Sequence, residues 1–499
     1  MMSFEFTGAG RGGPRSPAGH RSGARRAGFV AIGVAALLIG AIAIVNYSPG
    51  DDGGPFETGA VDSAALGGEP AAAADGSASA SPIEAAPIEA PAAVSLNLPS
   101  RPVVPAHARV AKPRAVRGLY LNAWAAGSTR KLDKLLDIAD RTEINTFVID
   151  VKEGGEISYA TAVPLAAEIR ADRKYIRDVQ GMLAKLKARG VYPIARIVVF
   201  KDEALAKAKP EWAIQKADGT VWKDNNGHLW VDSFNRDVWD YNIAIAREAI
   251  ELGFSEVQWD YVRFPDVPRS YMRTAVWPAR ASRQKEDAIR EFLSYSREQL
   301  SDLAAPVTAD VFGLTTSADD DMGIGQLWEK MVDATDVLLP MVYPSHYARG
   351  SYGIAHPNAE PYDVIRTSLR HALRRTEGVA NAASIRPWLQ DFTLGSPRYG
   401  PSHVRAQISA VYDAGLEEWV LWNPGSNYTL EALAGNDGVA PEFEEPSPVA
   451  PVNRTRTPET GGRRDPTPSA TPATARPKLW GIPVKRDSTV KTKPDTTGS

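Results

Sequence analysis

The sequence predicts an α/β protein whose central part folds as a (β/α)8 barrel, the TIM-barrel fold class. Apolar segments rich in Val, Ile, Leu and aromatic residues alternate with segments of helical periodicity from residue 117 to residue 435. Near-continuous apolar strands are typical of a parallel sheet that helices cover on both faces. Eight strand–helix repeats in about 310 residues favour a closed barrel over an open doubly wound sheet.

The eight candidate strands lie at residues 117–124, 145–152, 191–200, 254–265, 306–314, 335–344, 385–392 and 417–424. The helices that follow them are expected, in the same order, at 129–141, 175–190, 236–253, 282–304, 323–334, 362–375, 403–415 and 429–435. Residues 210–235, after strand three, are too polar and aromatic for a simple connector and are expected to form a wall of the cleft. No Gly-rich phosphate loop follows a candidate strand, which excludes the usual nucleotide-binding folds.

The N-terminus predicts a membrane anchor. Arginines at positions 11, 15, 21, 25 and 26 precede an uncharged run at Ala27–Tyr47, which is long enough to cross a bilayer as a helix. The arginine-rich segment 1–26 is expected to stay in the cytoplasm, which places the barrel of this single-pass protein outside the cell membrane. A cleaved signal peptide is the alternative, because Ala41-Ile42-Ala43 resembles a cleavage site. The length of the run favours an uncleaved signal anchor.

Two segments flank the predicted barrel and are expected to be disordered. Residues 48–116 form an Ala/Pro-rich linker, and residues 436–499 form a Pro/Thr-rich basic tail. Such compositions cannot bury enough apolar surface to fold. The basic tail is a candidate contact to an anionic wall polymer. A net charge of -3 without a patterned basic helix argues against nucleic-acid binding, and the absence of cysteine excludes disulfides and thiolate chemistry.

Polar and aromatic side chains stand at the carboxyl ends of the candidate strands, where barrels of this class build their active sites. In chain order they are Trp124, Asp150, Lys152, Arg196, Asp260, Arg263, Asp310, Tyr343, His346, Trp388, Asp391, Trp422 and Asn423. Any one of them can be a structural cap or a salt-bridge partner, but their convergence on one rim predicts a site. The aromatic side chains can pack against sugar rings, although tryptophans also fill barrel cores.

Carboxylates on neighbouring strands suggest glycoside hydrolysis, in which one group attacks or stabilises the anomeric carbon and the other protonates the leaving oxygen. Adjacent strands are ~4.8 Å apart, so Asp260 and Asp310 can face each other at the ~5–5.5 Å of a retaining pair. Lys152 and Arg196 are expected to hold substrate hydroxyls or orient the acids. Arg263 is expected either to pair with a rim carboxylate or to tie the strand end to its loop.

Seven segments, in this order, resemble the family of putative glycosyl hydrolase domains: RGLYLNAW, NTFVIDVKE, PIARIVVFKD, VQWDYVRFP, TADVFG, LLPMVYPSHY and RPWLQDF. The resemblance covers about residues 117–427 and implies a barrel like those of the alpha-amylases and melibiases, in which an aspartate ending strand four is the nucleophile. That position corresponds to Asp260. Alpha-amylases carry an arginine two residues earlier, where this chain has Gln258, and a glutamate after strand five, where it has Asp310. Asp310 is the preferred acid/base and Asp150 the reserve candidate.

The predicted function is hydrolysis of glycosidic bonds in an envelope or extracellular polysaccharide. No cofactor or metal is expected, because the seven histidines show no ligand spacing, and no G-x-S-x-G elbow indicates a serine hydrolase. The alternative is a cell-wall polysaccharide-binding protein that uses the same barrel and aromatic cleft without catalysis.

Overall fold

Eight parallel strands close into a barrel in the computed structural model of the chain, which describes residues 103–435 and 438. They are β1 (Arg117–Leu121), β2 (Thr146–Glu153), β3 (Tyr192–Val198), β4 (Glu256–Asp260), β5 (Val307–Phe312), β6 (Val337–Met341), β7 (Ser384–Ile385 and Trp388–Gln390) and β8 (Trp419–Trp422). Each strand pairs with the next, and β8 pairs with β1. The two pieces of β7 are separated at Pro387, which has no amide hydrogen to donate. The predicted barrel is therefore confirmed.

Helices follow the strands in the predicted order. They are α1 (Thr129–Arg141), α2 (Val179–Ala188), α3 (Arg236–Leu252), α4 (Lys285–Gln299), α5 (Trp328–Met331), α6 (Pro361–Thr376) and α7 (Pro401–Asp413), with a 3-10 turn at Leu430–Ala432 after β8. Helix α1 shows why they form: Leu132, Leu135 and Leu136 recur at helical spacing and bury one face against the sheet. Helix α5 is shorter than the predicted 323–334 because Gly323 and Gly325 adopt left-handed backbone angles, which an α-helix excludes.

Shorter elements lie in the loops that follow β1 to β4. They are the helices Ala123–Gly127, Pro164–Glu168, Glu203–Ala208 and Arg269–Met272, and a two-residue strand, Glu156–Ile157, that pairs antiparallel with β2. Residues 210–235 contain three isolated antiparallel bridges, which join Ala213 to Val231, Gln215 to Val221 and Lys223 to Leu229. This segment is therefore a folded excursion above β3, as expected for more than a connector.

The barrel interior is polar at both ends and apolar between them. At the amino end, fully buried Arg386 donates from Nη1 to Oε1 of Glu256 at 2.6 Å and from Nε to Oε2 of Glu418 at 2.9 Å. Above this ion-paired cluster of Arg386, Glu256 and Glu418, Val148 and Leu339 belong to an apolar cluster inside the barrel. The carboxyl end carries the candidate site, so the apolar layer separates the two polar groups.

The linker was expected to run to residue 116, but its last part is folded against the barrel. The amide of Val104 donates to the Glu251 carbonyl at 2.8 Å, Ser255 donates to the Val110 carbonyl at 2.8 Å, and Val116 is fully buried. These valines give residues 103–116 apolar surface that the composition of the longer linker conceals. The predicted anchor at 27–47, the linker up to residue 102 and the tail from residue 439 lie outside the described residues. Within residues 103–435, no helix combines the length and apolar character that crossing a membrane requires.

Candidate active site

Arg196, on β3, binds three carboxylates at the carboxyl end of the barrel. Its Nη1 atom donates to Oδ1 of Asp150 at 2.5 Å and to Oε2 of Glu153 at 2.7 Å. Its Nε atom donates to Oδ2 of Asp260 at 2.9 Å, and Nη2 donates to the same oxygen. Although burial lowers the pKa of Arg196, Asp260 and Asp150 raise it well above the usual range, so the guanidinium stays charged. One cation therefore fixes acidic side chains from the two neighbouring strands, β2 and β4.

Asp260 is the last residue of β4, and the turn that follows it is strained. Tyr261 has a φ of 50°, which places a bulky residue in the left-handed region. In this conformation, the Tyr261 amide donates to Oδ1 of Asp260 at 2.5 Å. Both oxygens of the carboxylate are thus held by donors, one from the backbone and one from Arg196. The strain is concentrated at the residue next to the candidate nucleophile.

Asp150, on β2, is buried between Arg196 and Tyr120. The Tyr120 hydroxyl, on β1, donates to Oδ2 of Asp150 at 2.5 Å. Burial raises the pKa of Asp150 to about 6, although Arg196 and the Tyr120 hydrogen bond oppose the rise. Tyr120 is a site residue beyond those predicted; two-residue periodicity places it on the same strand face as Gly118, opposite the outward Leu119 and Leu121.

Asp310, on β5, is a buried carboxyl group beside Asp260. Register pairs Trp259 with Ala309, so Asp260 and Asp310 are the next residues along two adjacent strands. Trp388 Nε1 donates to Oδ1 of Asp310 at 2.6 Å, and Gln258 Nε2 lies 2.9 and 3.1 Å from its two oxygens. Burial, and then the charge of Asp260, raise the pKa of Asp310 well above its ordinary value. The protonated form of Asp310 is therefore favoured by its surroundings, next to an ion-paired aspartate.

Gln258 lies inside the barrel, one layer closer to its amino end than Asp260 and Asp310. It lies two residues before Asp260, so strand periodicity directs both side chains to the interior. Its Oε1 atom is buried and has no hydrogen-bond partner in the described part of the chain. Because the two ends of an amide have the same shape, rotation of this group presents Oε1 to Asp310 as an acceptor. The amide can therefore bind either the protonated or the ionised form of Asp310.

Aromatic side chains line the mouth of the barrel on the side of β6 to β8. Tyr343 stacks on Trp422 with ring centroids 5.6 Å apart, and Phe392 meets Trp422 edge-on at 5.0 Å. The ring of His346 meets that of Tyr343 edge-on, with ring centroids 5.3 Å apart. Desolvation lowers the pKa of His346 to about 4, so its ring is neutral. Trp388 and Tyr343 are buried, whereas Trp422 and His346 are partly exposed. The structure thus assembles the predicted Tyr343, His346, Trp388 and Trp422 into one cluster.

Asp391 and Asn423 organise the loop that follows β8. The Asp391 carboxylate accepts from the Thr429 amide at 2.8 Å and from the Thr429 hydroxyl at 2.7 Å. Asn423 Nδ2 donates to the Asp391 carbonyl at 2.6 Å. Both residues also line a pocket of about 320 Å³ beside this loop, together with Phe392 and Arg398. Their hydrogen bonds give them a structural role at the edge of the cleft.

Lys152 is enclosed in the barrel wall. It is fully buried, and its ammonium donates to the Val198 carbonyl at 2.7 Å and to Asn242 at 3.0 Å, and pairs with Asp202 at 2.7 Å. Three partners use the three donors of an ammonium. A register shift between Asp150 and Lys152 turns the strand at this point. Lys152 therefore has no donor left for a sugar, contrary to expectation.

Trp124 and Arg263 also differ from the predicted arrangement. Trp124 is 70% exposed and packs on Tyr175, with ring centroids 4.9 Å apart, away from the aromatic cluster. Arg263 has no carboxylate partner within residues 103–435; it donates to the Phe264 carbonyl at 3.0 Å and lies over aromatic rings. The alternative expectation, that Arg263 ties the strand end to its loop, describes this hydrogen bond better.

Solved structures similar to this chain include a hypothetical protein from Ruminiclostridium thermocellum ATCC 27405, at 36% identity over 41% of this chain and 98% of that chain, with a TM-score of 0.36. The PgaB (BpsB) glycoside hydrolase domain from Bordetella bronchiseptica is 13% identical over 64% of this chain and 99% of that chain, with a TM-score of 0.46. The glycoside hydrolase domain of PelA from Pseudomonas aeruginosa is 13% identical over 64% and 97%, with a TM-score of 0.37. A search of curated proteins found no match.

The family comparison covers the barrel itself. A family model described as "putative glycosyl hydrolase domain" matches residues 118–428, from the second residue of β1 to the loop after β8. This match includes β2 to β8, all of β1 except Arg117, and every carboxylate of the candidate site. The chain belongs to the family of putative glycosyl hydrolase domains.

Proposed function

We propose that this protein is a glycoside hydrolase that cleaves an envelope or extracellular polysaccharide with retention of anomeric configuration. Family membership supports glycoside hydrolysis as the reaction. One observation carries the mechanism: Asp260, bound by the Arg196 guanidinium, stands one strand away from Asp310, a buried carboxyl group whose pKa is raised by burial and by the charge of Asp260. A carboxylate beside a carboxylic acid is the pair that a retaining glycosidase needs.

In the first step, Asp310 gives its proton to the leaving glycosidic oxygen. An oxygen of Asp260 attacks the anomeric carbon, so that a glycosyl ester bond forms as the glycosidic bond breaks. Arg196 and the Tyr261 amide hold Asp260 in place for this attack. As the ester forms, Asp260 loses its negative charge, and the neighbouring Asp310 becomes the charged member of the pair.

In the second step, Asp310 acts as a base. Its carboxylate takes a proton from water as the water oxygen attacks the anomeric carbon, which releases the sugar and restores Asp260. Trp388 and Gln258 both donate to Asp310, and these bonds favour its ionised form during this half of the cycle. The protonated form is then recovered because burial and the charge of Asp260 raise the pKa of Asp310 again.

Asp150 is the second candidate for the acid/base. Its pKa of about 6 also suits proton transfer near neutrality, and it shares Arg196 with Asp260. Asp310 is preferred because its proton is favoured by the charge of Asp260 itself, which couples protonation to the state of the nucleophile. Substrates with an activated leaving group separate the two, since only the variant lacking the true acid is rescued by them.

The aromatic cluster is proposed to bind the sugar chain. Trp422 and His346 are partly exposed above buried Tyr343, so they present ring surface to the cleft. Sugar faces with axial hydrogens pack on such rings, as other apolar groups do.

The location proposed for this activity is outside the cell membrane, with the chain held by Ala27–Tyr47. A reporter fused after Gly435 is expected to be active only when exported, and recovery of intact protein in the soluble cytoplasmic fraction would refute the anchor.

The reaction is tested by assaying a panel of neutral, acidic and amino-sugar polysaccharides with wild type, Asp260→Asn, Asp310→Asn and Asp150→Asn. Wild type should turn over at least one glycan, with a loss of ~10²-fold or more in Asp260→Asn and Asp310→Asn. Asp266→Asn, six residues after Asp260 and exposed, is the control and should keep full activity. Glycan binding without turnover, unchanged in Asp260→Asn, would favour the polysaccharide-binding alternative.

A further inference from the structure

Two cationic side chains pack on Tyr261, the residue after Asp260, without a carboxylate partner in the described residues. Arg263 lies three residues after Asp260, and Lys201 follows β3 at the same end of the barrel. Arg263 uses one of its donors, on the Phe264 carbonyl at 3.0 Å. The Lys201 ammonium has no hydrogen bond or ion pair with any residue between 103 and 435. Both side chains are partly exposed, so a ligand can reach them.

The ring of Tyr261 brings these two charges together. Lys201 Nζ lies 5.2 Å from the ring centroid, and Arg263 Cζ lies 4.9 Å from it. Arg263 also lies over Trp230 at 5.1 Å and Phe312 at 4.7 Å, so aromatic surfaces hold its plane in a defined position. Tyr261 is the residue with the strained left-handed backbone whose amide binds Asp260. Arg263 therefore lies just after the turn that positions the nucleophile, and Lys201 packs on the ring of that turn from the end of β3.

Nearby carboxylates are already bound by other donors. Glu153 accepts from Arg196 at 2.7 Å, and Asp224 accepts from Trp230 Nε1 at 3.0 Å. Glu203 pairs with Lys207 at 3.0 Å and with His228 at 3.1 Å. These acids act on Lys201 only through longer-range electrostatics, so hydrogen-bond donors of Lys201 and Arg263 remain available to a ligand.

Burial and the neighbouring Arg263 charge both disfavour the charged form of Lys201. Burial lowers the pKa of Lys201 most, and Arg263 adds to this shift, whereas Glu153, Asp224 and Glu203 oppose it. An anion that contacts both side chains removes their repulsion and supplies acceptors for their free donors. The planar guanidinium matches a carboxylate or phosphate group through two parallel hydrogen bonds.

We propose that Lys201 and Arg263 form an anion subsite next to Asp260, and that the substrate is a polysaccharide carrying carboxylate or phosphate groups. This inference rests on the proposed function, because it places the anionic group on a sugar at or beside the bond that Asp260 attacks. The aromatic cluster on the opposite strands, β6 to β8, then contacts the apolar sugar faces. Substrate selection thus combines charge near β3 and β4 with ring stacking near β8.

The first test measures binding of small probes by NMR and calorimetry. The probes are glucuronate, galacturonate and inorganic phosphate, with glucose as the neutral control. At least one anion should bind wild type, and Lys201→Met and Arg263→Met should each weaken that binding about 10-fold or more, as the loss of a charge-assisted hydrogen bond implies. Lys216→Met, an exposed lysine of the 210–235 excursion, is the matched control and should bind as wild type does. Absence of anion binding, or equal binding in all variants, overturns the subsite.

The second test uses polymers and separates the subsite from the reaction. Polygalacturonate is compared with its carboxyl-reduced neutral form, and a glycerol-phosphate polymer represents the phosphate source. Tighter binding of either charged polymer than of the neutral one, lost in the Lys201→Met/Arg263→Met double variant, supports the subsite. The polymer that binds more tightly identifies the anionic group as carboxylate or phosphate. The same preference without turnover of any glycan retains the subsite and rejects the proposed hydrolysis. Turnover of neutral glycans with no preference for charge retains the hydrolysis and rejects the subsite.

Discussion

Arg196 on β3 donates from both Nε, at 2.9 Å, and Nη2 to a single oxygen of Asp260, the Oδ2 atom. The third nitrogen of the same guanidinium, Nη1, reaches Asp150 and Glu153. The position of the candidate nucleophile is therefore coupled to that of the reserve acid through one planar group. A planar fork with three nitrogen atoms can do this, whereas an ammonium cannot.

Arg196→Lys should lower kcat by ~10²-fold or more, because the shorter point charge cannot bind Asp260 and Asp150 together. Arg196→Met should in addition cost about 3–5 kcal/mol of unfolding free energy, since it leaves buried carboxylates uncompensated. Denaturant unfolding beside rate assays measures both effects. Arg247→Lys is the control: Arg247 binds Asp302 with two nitrogen atoms, but at the surface. Arg247→Lys should lower the unfolding free energy by less than about 1 kcal/mol. An equal loss of unfolding free energy at Arg196 and Arg247 would contradict the proposed role of Arg196.

The pH dependence of stability should report Asp150. Its pKa rises from 3.8 to about 6 on folding, so the folded state binds more protons than the unfolded state between these values. The stabilising contribution of its proton is therefore fully present below about pH 4 and is lost as the pH rises through about 6. Asp150→Asn cannot titrate and should lose this component of the slope. Melting curves of both proteins from pH 4 to 7 make the comparison; identical slopes would show that Asp150 titrates normally.

Trp388→Phe removes the hydrogen bond to Asp310 and keeps an aromatic ring. Because that bond opposes the raised pKa of Asp310, its loss should move the basic limb of the kcat/KM profile to higher pH. Trp419→Phe is a matched truncation: Trp419 is also buried, and its Nε1 donates at 3.1 Å to the Tyr412 hydroxyl, which binds Glu143 and none of the site carboxylates. Both variants should lose about 1–3 kcal/mol of stability. A shift in both pH profiles, or in neither, contradicts the role of Asp310.

Arg386→Met tests the ion-paired cluster of Arg386, Glu256 and Glu418 at the amino end of the barrel. Arg386 and Glu256 are fully buried, and removal of the guanidinium leaves the Glu256 charge without its partner. The unfolding free energy should fall by about 3–5 kcal/mol. The apolar layer separates this pair from the carboxyl end, so kcat per folded molecule should stay within about twofold of wild type. A large loss of kcat with unchanged stability would show that the two ends are coupled.

The fold could be predicted from sequence because apolar runs and helical periodicity define each repeat independently. The site could be predicted only in part. Strand order and two-residue alternation identify Asp260 and Asp310, but they do not give the reach of a long side chain: Arg196 opposes Gln258 in register and yet binds Asp260. The sequence left two positions open for Arg263, beside a rim carboxylate or against its own loop, because strand alternation stops before it, at the left-handed Tyr261. Such a turn leaves no mark in the residue pattern.

Covalent catalysis by Asp260 is tested most directly by the mass of the intact Asp310→Asn variant after mixing with an activated glycoside of the sugar that wild type cleaves. Without a base, the second step is slow and the glycosyl enzyme accumulates. The account predicts a mass increase of one glycosyl unit, located by peptide mapping at Asp260 and absent from the Asp260→Asn/Asp310→Asn double variant. An adduct on Asp150, or turnover with inverted configuration and no adduct, would contradict covalent catalysis by Asp260.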